Sequence, residues 1–239
     1  MLISQSAIKA FYNPDHCFEL WKEQYYNGFR TPPSEVMKRG LYFEHHLLGA
    51  TRDGEVPKLA TLKDGSATKA QKDLDILIES AASVMSDLDI EVQEVQPEWI
   101  TNKSIAHPDA LITACDRLII LDVKYTETKE DDKWNGWGDP EKMNHTQAVH
   151  YIHTYHKLHG EYLPFYYLVF GKTGWVKYIA VNVDLSVMER HGRMLDNFLA
   201  DVKKRGVEPI NNYGKCKKCP VREVCKHRTM KPNLLDIFI

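Results

Sequence analysis

The chain has 239 residues, of which 43% are hydrophobic and 27% charged, and its formal net charge is −2. These values are typical of a globular protein with a sizeable core and argue against a protein that binds nucleic acid through overall basicity. No apolar run reaches membrane-spanning length and the first residues lack the pattern of a signal peptide, so we expect a cytoplasmic protein without a membrane partner.

Two helices are predicted at the start of the chain. Residues 1–30 predict a short helix rich in aromatic side chains that ends near Gly28. After a break at two prolines, Ser34 is the predicted N-cap of a second helix that runs to about Gly49. A polar excursion over residues 51–71 should then lead into a third helix over residues 72–87.

Glu44 is a candidate functional residue on the second helix. With Met37, Leu41 and Leu48 it recurs at three- and four-residue steps, which places it on an apolar stripe. A carboxylate that faces a protein core needs a compensating partner. The alternative is an ordinary acid on the solvent-facing side of the helix.

Strands are predicted over residues 91–96, 109–114 and 118–125, and the last two form a hairpin about a turn at residues 115–117. Alternation along the third strand places Asp122 and Lys124 on one face and Tyr125 on the other. The hairpin brings Asp109 and Asp122 to corresponding ends. Two charges on one face of so apolar a strand require a metal or charged partners.

This group suits phosphodiester hydrolysis. Asp109 and Asp122 supply hard oxygen ligands for Mg²⁺ or Mn²⁺, and Lys124 can position the attacking water or neutralise charge on the phosphoryl oxygens. The alternative is a buried ion pair in an ordinary sheet, because a D-x-K triplet is common.

The second half predicts a loop over residues 126–138, then a helix with Asp139 as N-cap that stops at Gly160. Gln147 and Tyr151 lie one turn apart on it and share a face. Strands over residues 163–170 and 175–183 form a hairpin. A capping box at Ser186 should open the last helix.

Three cysteines crowd the C-terminal region, which suggests a metal site in a reducing compartment. Cys216, Cys219 and Cys225 lie within ten residues, among many lysines and arginines. Cys17 is the plausible fourth ligand, because Cys115 falls in the predicted hairpin turn.

Together these pieces resemble the RecB-type branch of the PD-(D/E)xK nuclease superfamily, and within it the subgroup with an iron-sulfur cluster that includes the CRISPR-adaptation nucleases and AddB. The resemblance implies one α/β (α+β) nuclease domain over residues 1–239. Its restriction-endonuclease-like core, a mixed sheet flanked by helices, would span about residues 34–205. An iron-sulfur module would come from residues 1–30 and 206–239.

The resemblance also implies roles for individual residues. Asp109 and Asp122 match the metal-binding carboxylates, Lys124 the catalytic lysine, and Gln147 with Tyr151 the Q-x-x-x-Y motif beside the DNA strand. Relatives of the RecB type usually carry His in the first motif, where this chain has Glu44, as phage-type exonucleases do. His45 is the alternative ligand.

The cysteine spacing is similar to that of the family's four-iron, four-sulfur cluster, which would join the two chain ends. The implied ligands are Cys17, Cys216, Cys219 and Cys225. Spacing alone does not separate this cluster from zinc, which is the competing occupant.

The resulting hypothesis is a Mg²⁺- or Mn²⁺-dependent exonuclease acting on single-stranded DNA ends in recombination, repair or phage DNA processing. Tyr125, Trp134 and Trp137 would stack on unpaired bases or simply pack, and His150 is placed to touch phosphate. One alternative is an endonuclease or end-trimming subunit of a recombination or CRISPR-adaptation complex, with a homo-oligomer or recombination partner. A second is a non-catalytic DNA-binding scaffold.

Overall fold

The structure is a computed structural model that describes residues 1–13, 16–49, 55–128, 137, 139, 143–205, 216 and 218–225. Its elements in chain order are α1 Gln5–Phe11, α2 Phe18–Tyr25, α3 Glu35–Leu48, α4 Lys69–Asp87, β1 Glu91–Val95, β2 Trp99–Ile100, β3 Ile105–Ala106, β4 Ala110–Ala114, β5 Arg117–Thr126, α5 Thr146–His159, β6 Phe165–Gly171, β7 Val176–Val181 and α6 Leu185–Lys204. No helix in these described ranges has the length and apolarity needed to cross a membrane.

Five strands form one mixed sheet in the order β1-β4-β5-β6-β7. The β4–β5 hairpin is antiparallel and pairs Ala110 with Leu121. β5 and β6 run parallel, as a crossover through α5 allows. The predicted mixed sheet flanked by helices is therefore confirmed. β2 and β3 form a separate two-stranded sheet that the sequence analysis missed.

Each face of the five-stranded sheet is covered by helices. On one face, Phe43 of α3 and Leu74 of α4 pack on Leu121 of β5. On the other, Ile152 of α5 packs on Ile120 of β5 and Phe165 of β6. The central strands are thereby buried on both faces, so a charged side chain on either face must find its partners within the protein.

A third core joins the N-terminal helices to α6. Phe11 of α1 and Trp21 of α2 surround Phe198, which is fully buried. Ring centroids lie 5.1 Å apart for Phe11 and Phe198 and 6.0 Å apart for Trp21 and Phe198. The Trp21 indole N–H also donates to the carbonyl of Ala7 at 2.8 Å. The two helices are thus fixed to the body of the protein by apolar packing.

Several predicted boundaries are corrected. The single helix predicted within residues 1–30 is two helices, α1 and α2, separated by residues 12–17. α4 begins at Lys69 because the Thr68 hydroxyl accepts from the backbone N–H of Gln71. The predicted N-caps of α5 and α6 are also wrong. α5 begins at Thr146, beyond Asp139, and α6 is capped by Asp184, whose carboxylate accepts from the N–H of Val187 at 2.9 Å.

Candidate active site

The hairpin of β4 and β5 brings two aspartates together as predicted. Asp109 lies just before β4 and is 6% exposed, and Asp122 in the middle of β5 is fully buried. The backbone N–H of Val123 donates to Oδ2 of Asp109 at 2.8 Å. This bond continues the register of the hairpin and fixes one carboxylate beside the strand that carries the other.

Lys124 lies between the two carboxylates. Its ammonium forms an ion pair with Oδ2 of Asp122, and Nζ lies 3.8 Å from Oδ2 of Asp109. Asp122 Oδ2 has no hydrogen bond of ordinary geometry, so the ion pair with Lys124 is what offsets the cost of burying this charge. We call Asp109, Asp122 and Lys124 the carboxylate site.

The charges of the carboxylate site perturb one another. Burial raises the pKa of Asp122, and the neighbouring charge of Asp109 raises it further, against the lowering effect of Lys124. Burial alone lowers the pKa of Lys124, but the two aspartates outweigh burial and the net pKa is raised. Lys124 is therefore a cation at neutral pH, and one cation faces two acids.

Gln147 and Tyr151 reach the same site from α5, and the predicted shared face is confirmed. The Gln147 amide Nε2 donates to Asp122 Oδ1 at 2.6 Å and lies 3.2 Å from the Tyr151 hydroxyl. Burial raises the pKa of Tyr151, and the charges of Asp122 and Asp109 raise it further. The phenol is thus held neutral beside the acids.

Glu44 approaches the carboxylate site from α3. It lines a cleft of about 470 Å³ together with Asp109, and its charge acts on Asp122. We call this space the acid cleft. The apolar stripe that singled out Glu44 is correct at Leu48, which is buried, but wrong at Met37 and Leu41, which are 60% and 41% exposed. The other buried residue of α3 is Phe43.

His45, the alternative ligand, is not among the residues that line the acid cleft. Its ring Nδ1 is buried without a hydrogen-bond partner, and its imidazole lies edge-on to that of His46 at 5.0 Å. The geometry favours Glu44 over His45 as the residue of α3 that faces the aspartates.

Gln96 is a site residue that the sequence analysis missed. Its side-chain Nε2 donates to Glu44 Oε1 at 2.7 Å, and its backbone N–H donates to the carbonyl of Asp109 at 2.8 Å. Its φ of 49° lies in the left-handed region, which costs free energy for a residue other than glycine. No signal in the sequence predicts this bridge, because a residue before proline favours extended backbone.

Of the predicted aromatic contacts, Tyr125 is not brought to the carboxylate site. Tyr125 lies on the opposite face of β5 and packs on Phe43, with ring centroids 5.7 Å apart. Trp137 is partly buried against the core and lies edge-on to Tyr167 at 5.7 Å. Trp134 lies outside the described residues. The geometry therefore gives no support to a stacking role for Tyr125, whereas Trp137 packs on the strand partner of Asp122.

His150 was wrongly expected to touch phosphate, because it is fully buried. Its Nε2 lies 2.9 Å from the carbonyl of Ile105, and its Nδ1 lies 3.2 Å from Nε2 of His191. Since a carbonyl only accepts, Nε2 of His150 carries the proton and Nδ1 accepts from His191. Burial lowers the pKa of His150 to about 4 and that of His191 to about 3.

The four cysteines predicted as ligands lie in one neighbourhood. Cys17 is the N-cap of α2, and the other three belong to the short C-terminal segment. The pKa of the Cys219 thiol is raised by burial and by the charges of Cys17, Cys216 and Cys225. Cys115 is exposed in the β4–β5 turn, as predicted. We call Cys17, Cys216, Cys219 and Cys225 the cysteine group.

Neither group is a preformed cage. Within the described part of the chain, no three His, Cys, Asp or Glu side chains are arranged to hold a metal ion. For a hard cation such as Mg²⁺ this does not disqualify the carboxylate site, because Mg²⁺ commonly takes one or two carboxylates and keeps several waters.

Comparisons with known proteins show the fold. The chain is similar to a crystal structure of a candidate exonuclease from Eubacterium rectale, with a TM-score of 0.64 and 18% sequence identity over 99% of this chain and 92% of that one. This likeness shows a shared fold. The structure of SSO0001 aligns over 89% of this chain and 96% of that one at 11% identity, but a TM-score of 0.35 carries no argument. No family model and no curated protein matches the chain.

Proposed function

We propose that the protein is a metal-dependent DNA nuclease of the PD-(D/E)xK type that hydrolyses phosphodiester bonds. The observation that carries the proposal is the meeting of Asp109, Asp122 and Lys124 at one point between β4 and β5, with Glu44 lining the acid cleft together with Asp109. A bare ion pair needs one acid and one base. The additional carboxylates leave an excess of negative charge that a divalent cation would compensate.

The donor set fits Mg²⁺ or Mn²⁺. Asp122 is buried with its Oδ2 paired to Lys124, and Asp109 has a carboxylate on the same cleft as Glu44. One or two of these three acids would bind the cation directly and the rest through its waters, and the bound cation would polarise the phosphate and activate water. Because the pKa of Asp122 is raised, cation binding competes with protonation, and activity should fall as the pH drops below neutral.

The chain's own residues would orient the reaction. Lys124, held beside both aspartates, would position the attacking water or stabilise negative charge on the phosphoryl oxygens. Gln147 donates to Asp122 Oδ1 and so fixes the orientation of that carboxylate. The Tyr151 hydroxyl accepts from the same amide at 3.2 Å and would hold Gln147 in position. Since Tyr151 is only 4% exposed, Gln147 would make the contact with the strand.

For the substrate, we propose single-stranded DNA ends and exonucleolytic cleavage, in keeping with the fold shared with a candidate exonuclease. An endonuclease or end-trimming subunit would use the same residues on a different substrate. A non-catalytic scaffold is the less favoured alternative, because it has no need of an acid group with an intact lysine.

We further propose that the cysteine group holds a four-iron, four-sulfur cluster. The support is that the other three cysteines are near enough to Cys219 for their charges to raise its pKa, in addition to the spacing of the four in the sequence. Zinc is the alternative occupant. Protein prepared without oxygen should be brown with broad visible absorbance, and Cys216→Ala should bleach it. Colourless wild-type protein with stoichiometric zinc would overturn the iron-sulfur assignment.

The function is tested by digesting single- and double-stranded DNA, labelled at either end, with Mg²⁺, Mn²⁺ or chelator. We expect cation-dependent shortening of the single strands from an end, with product length giving the direction. Internal cuts at the earliest times would favour the endonuclease. DNA that stays intact with both cations would contradict both nuclease hypotheses and favour the non-catalytic scaffold.

A further inference from the structure

The acid cleft has two chemically different parts. One part of its lining is polar and carries the carboxylates of Glu44, Glu55 and Asp109 and the amide of Gln96. Its walls are apolar and come from two separate segments, with Leu41 on α3 and Val56 and Pro57 on the chain before α4. Leu41 and Val56 are each 41% exposed, so apolar surface is open to whatever enters.

Two lysine side chains also line the acid cleft. Lys38, one turn before Leu41 on α3, and Lys58 line the same space. Lys38 also pairs with Glu35 at 2.7 Å, on the exposed side of the helix. An occupant that matches this surface has an apolar body for the walls and negative charge for the lysines. It also needs a group that the acids can hold through a cation.

We propose that the acid cleft is a binding site for one unpaired nucleotide, with the base between Leu41 and Val56 and the scissile phosphate at the carboxylates. This inference rests on the proposed nuclease function. A volume of about 470 Å³ belongs to the range of pockets that enclose one small organic molecule. A site of this size suits one unpaired nucleotide, which would favour single strands as the substrate.

The experiment compares Leu41→Ser with Met37→Ser. Both side chains are exposed on α3, one turn apart, and Met37 is not part of the cleft lining. Saturation-transfer NMR with thymidine 5′-monophosphate and Mg²⁺ measures binding directly. We expect Leu41→Ser to weaken binding about tenfold, because a half-exposed leucine loses its contact with the base. Met37→Ser should bind as the wild type does.

A second readout replaces the base instead of the protein. Single strands with one abasic position should be cut about tenfold more slowly at the adjacent bond. The Leu41→Ser protein should show no further loss at that bond, because the contact it removes is already missing. Equal effects of Leu41→Ser on normal and abasic positions would overturn the proposal.

The two proposals fail separately. Nucleotide binding that depends on Leu41, in a protein that cuts no DNA, would keep the nucleotide site and remove the nuclease. Cleavage of DNA by a protein whose nucleotide binding ignores Leu41, or whose wild type binds no nucleotide, would keep the nuclease and overturn the site.

Discussion

The carboxylate site lies on adjoining strands inside the five-stranded sheet, whereas three of the four cysteines lie on a short C-terminal segment of turns. Asp122 is fully buried and its carboxylate is held by Lys124 and Gln147. Cys216, Cys219 and Cys225 are partly exposed. The fold therefore assembles the first site without a ligand, whereas the cysteine group, under our proposal, would be held together by its metal cluster.

The N-terminal helices are held in place independently of the cysteine group. Cys17 begins α2, but α1 and α2 are held by the core around Phe198 and not by a thiol. A cluster that joins the chain ends would thus add its binding energy to a segment that is already docked. Loss of the cluster should leave the sheet and the N-terminal helices folded.

The largest effect is expected for Lys124→Ala, which separates catalysis from folding at the carboxylate site. Cleavage should fall about 10³-fold because charge stabilisation at the phosphate is lost. Unfolding in urea should show a loss of about 2 kcal/mol, less than for a fully buried pair because Lys124 keeps 30% of its side-chain exposure. Lys63→Ala, in an exposed turn, should change neither quantity. Full activity of Lys124→Ala would remove the lysine from the mechanism.

Phe198→Ala and Cys216→Ser test which contact holds the N-terminal helices. Removing the buried ring should cost about 3–5 kcal/mol of the free energy of unfolding. Cys216→Ser should bleach the protein and change the unfolding of the core by about 1 kcal/mol or less. Leu199→Ala, exposed next to Phe198, is the matched control. A larger loss of unfolding free energy for Cys216→Ser than for Phe198→Ala would show that the cysteine group, and not the core around Phe198, holds the N-terminal helices.

The buried histidines predict acid sensitivity in the body of the protein, away from both sites. Burial lowers the pKa of His150 and His153 to about 4 and that of His191 to about 3. The unfolded chain takes up these protons below about pH 6.5 and the folded chain does not, so stability falls as the pH drops. Each histidine that stays neutral should cost about 2 kcal/mol between pH 6.5 and 5.

Urea unfolding at these two pH values measures the loss, with His191→Gln as the variant. The variant should show a smaller decrease between the two pH values than the wild type. His46→Gln, at an exposed position on α3, is the control and should keep the full decrease. Equal decreases in all three proteins would contradict the assignment of His191.

The smallest effect concerns Gln96. Gln96→Gly removes the amide that contacts Glu44 and relieves the left-handed backbone. Calorimetry should show about tenfold weaker Mn²⁺ binding, as for other residues that orient a metal ligand, with stability unchanged or raised. Gln96→Asn also tolerates this backbone, but its shorter side chain should not restore binding. Unaltered Mn²⁺ affinity in both variants would show that the bridge to Glu44 is incidental.

The sequence predicted those features that depend on short-range patterns. The β4–β5 hairpin, the faces of β5 and the shared side of Gln147 and Tyr151 follow from strand alternation and helix spacing. Gln96 could not be predicted, because its role arises from contacts with residues on two other segments. His150 was misassigned for the same reason, since its partners lie on β3 and α6.

Which face of α3 would be buried was also not predictable from the sequence. Apolar spacing on α3 selected Met37, Leu41 and Leu48 as core residues, but tertiary packing buries Leu48 together with Phe43 and leaves Met37 and Leu41 exposed. Glu44 was found through this incorrect stripe, and its position beside Asp109 depends on how α3 lies across the sheet. Helix periodicity defines the faces and does not say which of two mixed faces the core will cover.

The most direct test compares Asp122→Asn with Asp116→Asn in a Mn²⁺-dependent digestion of end-labelled single-stranded DNA. Asp122 is buried at the carboxylate site, and Asp116 is exposed in the turn of the same hairpin. Wild type and Asp116→Asn should shorten the DNA with Mn²⁺ and leave it whole with chelator, and Asp122→Asn should leave it whole in both. Cleavage by Asp122→Asn at the wild-type rate, or by wild type in chelator, would contradict the account.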